Sequence, residues 1–250
     1  MVETFRLSNG VEMPLLGYGV FQVSPDDCER CVSDALSVGY RLIDTAQAYQ
    51  NEEGVGNAWR KSGIKREDLF LVTKVWISNA GEEKAAKSID ESLRKLQTEY
   101  IDLLLIHQAY GDVFGTWRAM EKAYRAGKVR AIGVSNFQAG RFFDFAHYVE
   151  VKPMVNQLQC NALIQQTGIE PIHAEFGTKM MAWGPLGGQN NLCWHCTQPN
   201  LKDHAPAAGK TAEHFKDTVP AKQSIFFILD ICILRSNSTP SCSTPHGPQP

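Results

Sequence analysis

No stretch of this 250-residue sequence is apolar for long enough to cross a bilayer. The longest apolar run, 225–234, contains Asp230 and falls well short of the ~20 residues that a spanning helix needs. The first seven residues lack a basic leader followed by an apolar core, so the expectation is a soluble, cytoplasmic chain with no membrane partner. Charge of one sign is missing too. Lys and Arg number 25 against 27 Asp and Glu, and a net charge of -2 offers no electrostatic footprint for nucleic acid. A small-molecule partner fits this balance better. Seven cysteines make an odd set without a small-domain framework, which favours reduced thiols. Cys28 and Cys31 recur with Val32, Ala35 and Leu36 at helical spacing and read as core. Cys193, His195 and Cys196 would need Cys232, Cys242, His204 or His214 from across a long tail to complete a zinc site, so no metal is expected.

What is present is enough for one large core: 43% of the residues are hydrophobic and 21% charged. Asn9-Gly10 between two short alternating segments predicts an N-terminal hairpin. A strand over 15–20 is followed by Ser24 as N-cap and Pro25 at the first helical position. Strands at 40–43, 69–73, 101–106, 129–134, 154–159 and 179–183 then alternate with amphipathic helices, among them 82–97, with Ala86, Ile89, Leu93 and Leu96 on one face, and 116–126, stopped by Gly127. Alternation of this kind argues a parallel sheet.

The segment 39–56, G-Y-R-L-I-D-T-A-Q-A-Y-Q-N-E-E-G-V-G, organises the rest. Its strand turns abruptly polar at Asp44, and Tyr49 follows five residues on. By itself that pattern suits a helix cap and a loop aromatic as well as a site. The same design recurs at the next two strands, which end in Lys74 and His107, where parallel sheets place their chemistry.

These residues, with V-T-K-V-W at 72–76 and A-I-G-V-S-N-F at 131–137, make the chain resemble the aldo-keto reductases over 1–191. The resemblance implies an α/β fold, a (β/α)8 barrel with an N-terminal hairpin plugging its bottom, and a catalytic tetrad of Asp44, Tyr49, Lys74 and His107. It implies NAD(P)H-dependent reduction of an aldehyde or ketone by a monomer, with Tyr49 as general acid and His107 orienting the carbonyl. Ser135, Asn136 and Gln157 match the residues that hold the nicotinamide amide, Trp183 the aromatic stacked on its ring, and Gly184, Pro185, Leu186 and Gly187 a loop near the pyrophosphate. Phe21, Trp76 and His107 would line the substrate pocket. The absence of G-x-G-x-x-G agrees with a barrel that uses no Rossmann turn.

Residues 192–250 depart from the family pattern. Four of the seven cysteines fall there, Pro206 and Pro220 interrupt any helix, and 236–250 is rich in Ser, Thr and Pro, so this tail is expected to be poorly ordered. The family's Lys-Ser motif and downstream Arg, which read the 2'-phosphate of NADPH, are missing, which leaves NADH possible beside NADPH. Two readings of the tail stand. In one, the coding sequence departs from its ancestral frame or splice pattern near Asn191, the eighth strand is lost, and the chain is a truncated, inactive relative that keeps at most cofactor or partner binding. In the other, 224–234 forms a substitute eighth strand with Arg235 and Ser236 as a crude phosphate site.

Overall fold

The computed structural model describes residues 2–161, 164–185 and 225–230. The chain opens with an antiparallel hairpin, β1 (Thr4–Arg6) and β2 (Glu12–Pro14), in which Arg6 faces Glu12. Gly10, at φ 88°, takes the turn conformation that a side chain would resist. Eight parallel strands follow: β3 (Leu16–Gly19), β4 (Leu42–Asp44), β5 (Phe70–Val75), β6 (Leu103–Ile106), β7 (Ile132–Ser135), β8 (Val155–Gln159), β9 (Lys179–Trp183) and β10 (Ile225–Asp230). They close into a barrel in the order β10-β3-β4-β5-β6-β7-β8-β9. The hairpin lies at the end where the strands begin: Asn9 Nδ2 donates to the Arg130 carbonyl just before β7 at 2.9 Å, and the Lys179 ammonium sits 4.9 Å from the Phe5 ring centroid.

The helices are α1 (Pro25–Ser37), α2 (Glu52–Lys61), α3 (Glu82–Lys95), α4 (Val113–Arg125), α5 (Ala139–Tyr148) and α6 (Glu170–Glu175). Among the described residues, no helix is long and apolar enough to cross a membrane. Ser24 caps α1 as its spacing predicts, its Oγ accepting from Asp27 N at 3.2 Å. Cys28 is fully buried and Cys31 partly so, both against the core. The buried face of α3 differs slightly from the periodicity. Ala85, Ser88, Ile89 and Ser92 face inward and Ala86 faces out, because polar Ser88 and Ser92 find hydrogen-bond partners there. Close packing also constrains α2 against α3: a Cβ on Gly56 would stand 2.4 Å from the Lys95 carbonyl oxygen.

Within the segment 224–234 the structure places an eighth strand over 225–230. β10 pairs in parallel with β9, from Ile225 opposite Met180 to Ile228 opposite Trp183, and with β3, from Phe227 opposite Leu16 to Asp230 opposite Gly19. Residues 192–224, 231–250 and the suggested phosphate site at Arg235 and Ser236 lie outside the described residues. The physical reason for closure is plain: without a partner, β3 and β9 would each present a row of unpaired backbone donors and acceptors. A chain ending at residue 224 should therefore lose several kcal/mol of stability, lowering its thermal midpoint by roughly 10 °C and exposing edges that aggregate. Calorimetry and light scattering would measure this, and an unchanged midpoint would show that 225–230 contributes nothing to closing the barrel.

Candidate active site

The site begins with strand register. Asp44, the last residue of β4, pairs with Val72 of β5, so Lys74 lies two residues further on and on the same face. Diagonal neighbours on one face of a sheet are within reach of long side chains. Lys74 is completely buried, and its Nζ lies 2.5 Å from Asp44 Oδ1, 2.9 Å from the Thr45 carbonyl and 3.5 Å from the Tyr49 hydroxyl. Burial alone would depress this ammonium, but Asp44 and Tyr49 outweigh it and hold Lys74 above its ordinary value. Lys74 is therefore charged across the neutral range.

Tyr49 closes a single 3-10 turn, Gln47–Tyr49, and Gln50 behind it adopts a left-handed φ of 58°. Its half-buried ring stands 5.2 Å from Phe21 and 5.5 Å, edge-on, from His107. His107 follows β6, and its backbone N donates to the Val75 carbonyl at 3.1 Å. Burial, with the Lys74 charge adding to it, pushes the imidazole down to about 3. Nδ1 of His107 is buried with no hydrogen-bond partner among the described residues. Trp76, half-buried, packs edge-on to the same ring at 4.9 Å and is not sunk in the core. Phe21 is 50% exposed, large and apolar at the rim.

Strand ends on the far side of the barrel complete the cluster. Ser135, at the end of β7, donates through Oγ to the Gln157 carbonyl at 3.1 Å. Asn136, at a left-handed φ of 62°, sends its amide to the His107 carbonyl at 3.1 Å and accepts from Trp183 Nε1 at 3.0 Å. Gln157 Nε2 donates to Asp44 Oδ2 at 2.9 Å. β4 and β8 stand opposite each other in the closed order, so this bond runs across the barrel and joins the two sets of residues that the sequence presents separately. Gly184 has φ 60° and Pro185 is buried beside it; Leu186 and Gly187 lie outside the described residues.

Sequence reading passed over the residues that hold this arrangement. Asn51 is buried and ties the loop to the segment that follows β3: its Nδ2 donates to the Val20 and Val23 carbonyls, and its Oδ1 accepts from Thr45 Oγ1 at 2.7 Å. Glu52, equally buried, accepts from Thr73 Oγ1 at 2.7 Å, and burial raises its carboxyl above the usual range. Both lie in the N-E-E run of the organising segment, and that was the available signal. A separate surface cleft of about 580 Å³ opens at the opposite end of the barrel, where Glu12, Glu67 and Asp68 offset Arg41, Lys65 and Arg130. None of the tetrad lines it, so the site is defined by the converging side chains at the C-terminal mouth.

Comparison with known proteins gives the same lineage. The aldo/keto reductase family model matches residues 15–218. The glyoxal reductase of Bacillus subtilis is 44% identical over 186 residues, which span 74% of this chain and 67% of the relative. A crystal structure of an aldo/keto reductase from Brucella melitensis superposes with a TM-score of 0.73 at 42% identity, covering 82% of this chain and 80% of the other. The aldo-keto reductase of Bombyx mori, solved in complex with NADP, superposes at 0.69 with 31% identity, covering 73% of this chain and 66% of that one. With its barrel, its buried ion pair and this likeness in sequence and structure, the chain belongs to the aldo/keto reductase family of oxidoreductases.

Proposed function

We propose that this chain reduces a small aldehyde or ketone to the alcohol with a nicotinamide cofactor, NADPH by family inheritance, and that Tyr49 is the general acid. The observation that carries the reading is the Lys74 ammonium, sealed from solvent and held between the Asp44 carboxylate and the Tyr49 hydroxyl. An isolated phenol titrates near ~10, too high for ready proton release at neutral pH. A cation beside it stabilises the phenolate that proton donation leaves behind. Asp44 compensates the buried charge and fixes its position, a role that a cap or surface pair would not need.

His107 is the neutral partner. With its imidazole pushed down to about 3, the ring carries a single N–H near neutrality. Nδ1 has no described partner to receive a hydrogen bond, which favours placing that N–H on Nε2, free to orient a carbonyl oxygen. Phe21, Tyr49 and Trp76 give the mouth an aromatic wall, suited to an uncharged carbonyl compound.

A bound nicotinamide would supply the hydride that no side chain can donate. The residues present fit it: one hydroxyl (Ser135), two carboxamides (Asn136, Gln157) and the half-exposed indole of Trp183 are gathered at one mouth. An amide oxygen has two lone pairs, so Asn136 Oδ1 keeps accepting capacity beyond Trp183. Trp183, fixed through Nε1, offers a flat face for a flat ring. The family's Lys-Ser motif and downstream Arg for the 2'-phosphate are missing from the sequence, so titrating NADPH and NADH separately against tryptophan fluorescence tests the cofactor preference.

Tyr49→Phe should cut turnover of a test aldehyde such as 4-nitrobenzaldehyde by at least ~10²-fold. NADPH quenching of tryptophan fluorescence should stay within about twofold. Retained turnover would remove Tyr49 from the acid role, and a native chain that neither quenches nor turns over would remove the enzymatic reading altogether.

The buried imidazoles also set a pH signature. His107 and His173 are pushed down by burial to about 3 and about 4, so the unfolded chain binds their protons first. Folding stability is then fully present above ~6.5 and declines as pH falls, by up to about 1.4 kcal/mol per pH unit for each histidine. Glu52, raised by burial, works the other way, gaining stability as pH falls through its raised folded value, so a Glu52→Gln background isolates the histidine contribution. Denaturant titrations at pH 7.5, 6.5 and 5.5 should show stability nearly flat above 6.5 and falling below it; a flat profile down to 5.5 would mean that these imidazoles are not held neutral.

A further inference from the structure

We propose that Gln47 is a positioning residue that sets where Tyr49 stands relative to the pocket wall, an inference that rests on the reading of Tyr49 as proton donor. Tyr49 belongs to a turn of three residues, Gln47–Tyr49, closed by Tyr49 N donating to the Ala46 carbonyl at 3.0 Å and Gln50 N to the Gln47 carbonyl at 3.3 Å. So short a turn cannot fix its own position; something must anchor it to the barrel. Asn51 anchors the downstream end to the loop after β3. Gln47 anchors the upstream end to the other side of the site.

Its side-chain amide is used four times. Oε1 accepts from Trp76 N at 2.9 Å and from Asn79 Nδ2 at 2.9 Å. Nε2 donates to the Ser88 carbonyl at 3.3 Å and to Ser92 Oγ at 3.1 Å. Donors on one side and a carbonyl on the other allow only one orientation of the amide. The turn bearing Tyr49 is thus tied to the backbone of Trp76, whose ring stands 4.9 Å from His107, and to α3 behind it. One side chain joins the mounting of the proposed acid to the mounting of the aromatic that flanks the proposed carbonyl-orienting group. Proton donation depends steeply on such placement, since displacements near 1 Å can cost on the order of 10²-fold in rate.

The test compares Gln47→Met, which keeps the length of the side chain and removes all four bonds, with Gln47→Glu, which keeps acceptors for Trp76 N and Asn79. Gln47→Met should lower kcat by roughly ten- to a hundredfold. Its carbonyl KM and NADPH fluorescence quenching should stay within about twofold, and hydrogen exchange at the Trp76 amide should accelerate. Gln47→Glu, which restores the acceptor but sets its second oxygen against the Ser88 carbonyl, should recover the Trp76 amide protection and part of the kcat. A wild-type kcat in Gln47→Met, or a loss of turnover that only follows a lowered thermal midpoint and is not recovered by Gln47→Glu, would overturn the positioning role. Tyr49→Phe run in parallel separates the two levels: if it stays active, the reading of Tyr49 fails and this role fails with it, whereas an inactive Tyr49→Phe beside a fully active Gln47→Met overturns the inference about Gln47 alone.

Discussion

A lysine ammonium with no solvent exposure is the constraint around which this barrel is arranged. Removing such a charge from water costs several kcal/mol, and only close pairing with hydrogen bonds to the remaining donors offsets that cost. Lys74 obtains both, from Asp44, the Thr45 carbonyl and the Tyr49 hydroxyl. Asp44 in turn is gripped by Gln157 from the opposite strand of the closed sheet. The charge is thus balanced by groups from β4, β5, β8 and the turn that follows β4. Moving any of these strands relative to the others would strand a charge, and this ties the proposed chemistry to barrel closure.

The other end of the barrel carries a second buried carboxylate with a different purpose. Asp102, fully buried just before β6, accepts from Arg66 at 2.6 Å, Arg130 at 2.7 Å and Leu71 N at 2.9 Å, and both guanidinium groups lie over the Tyr100 ring. Arginine keeps its charge across the accessible pH range and its planar fork suits a carboxylate, so this pairing is fixed. At the mouth the cation is a lysine, beside a phenol and close to an imidazole that burial keeps neutral. One end is built to hold, and the other carries the proposed chemistry, at the strand ends where this architecture generally places it.

The positions in between show how little of the site is self-supporting. Tyr49 sits on one turn, Asn136 on a left-handed residue, and Trp183 at a strand end before Gly184. Each is fixed by side-chain bonds from elements remote in sequence: Gln47 and Asn51 for the first, the His107 carbonyl and Trp183 for the second. Loops on a rigid scaffold gain precision in this way without being rigid themselves.

Much of this was legible before any fold was known. Alternating apolar strands and amphipathic helices specify a parallel α/β architecture, because a strand buried on both faces and a helix buried on one leave different periods in the sequence. Asp44, Lys74 and His107 stand out because each polar residue at the end of an apolar strand breaks its own local pattern. The sequence could not determine that Lys74 and Asp44 are diagonal neighbours, that Gln157 reaches Asp44 across the barrel, or that Gln47 mounts Tyr49 against Trp76. Those relations depend on register and closure: the Gln157–Asp44 bond joins residues 113 positions apart, and the β3–β10 pairing joins residues still more distant. The eighth strand illustrates the same division: in the sequence 224–234 is an apolar run that fits a lost strand and a substitute strand alike, and 225–230 becomes a barrel strand because β3 and β9 both have backbone groups that need a partner.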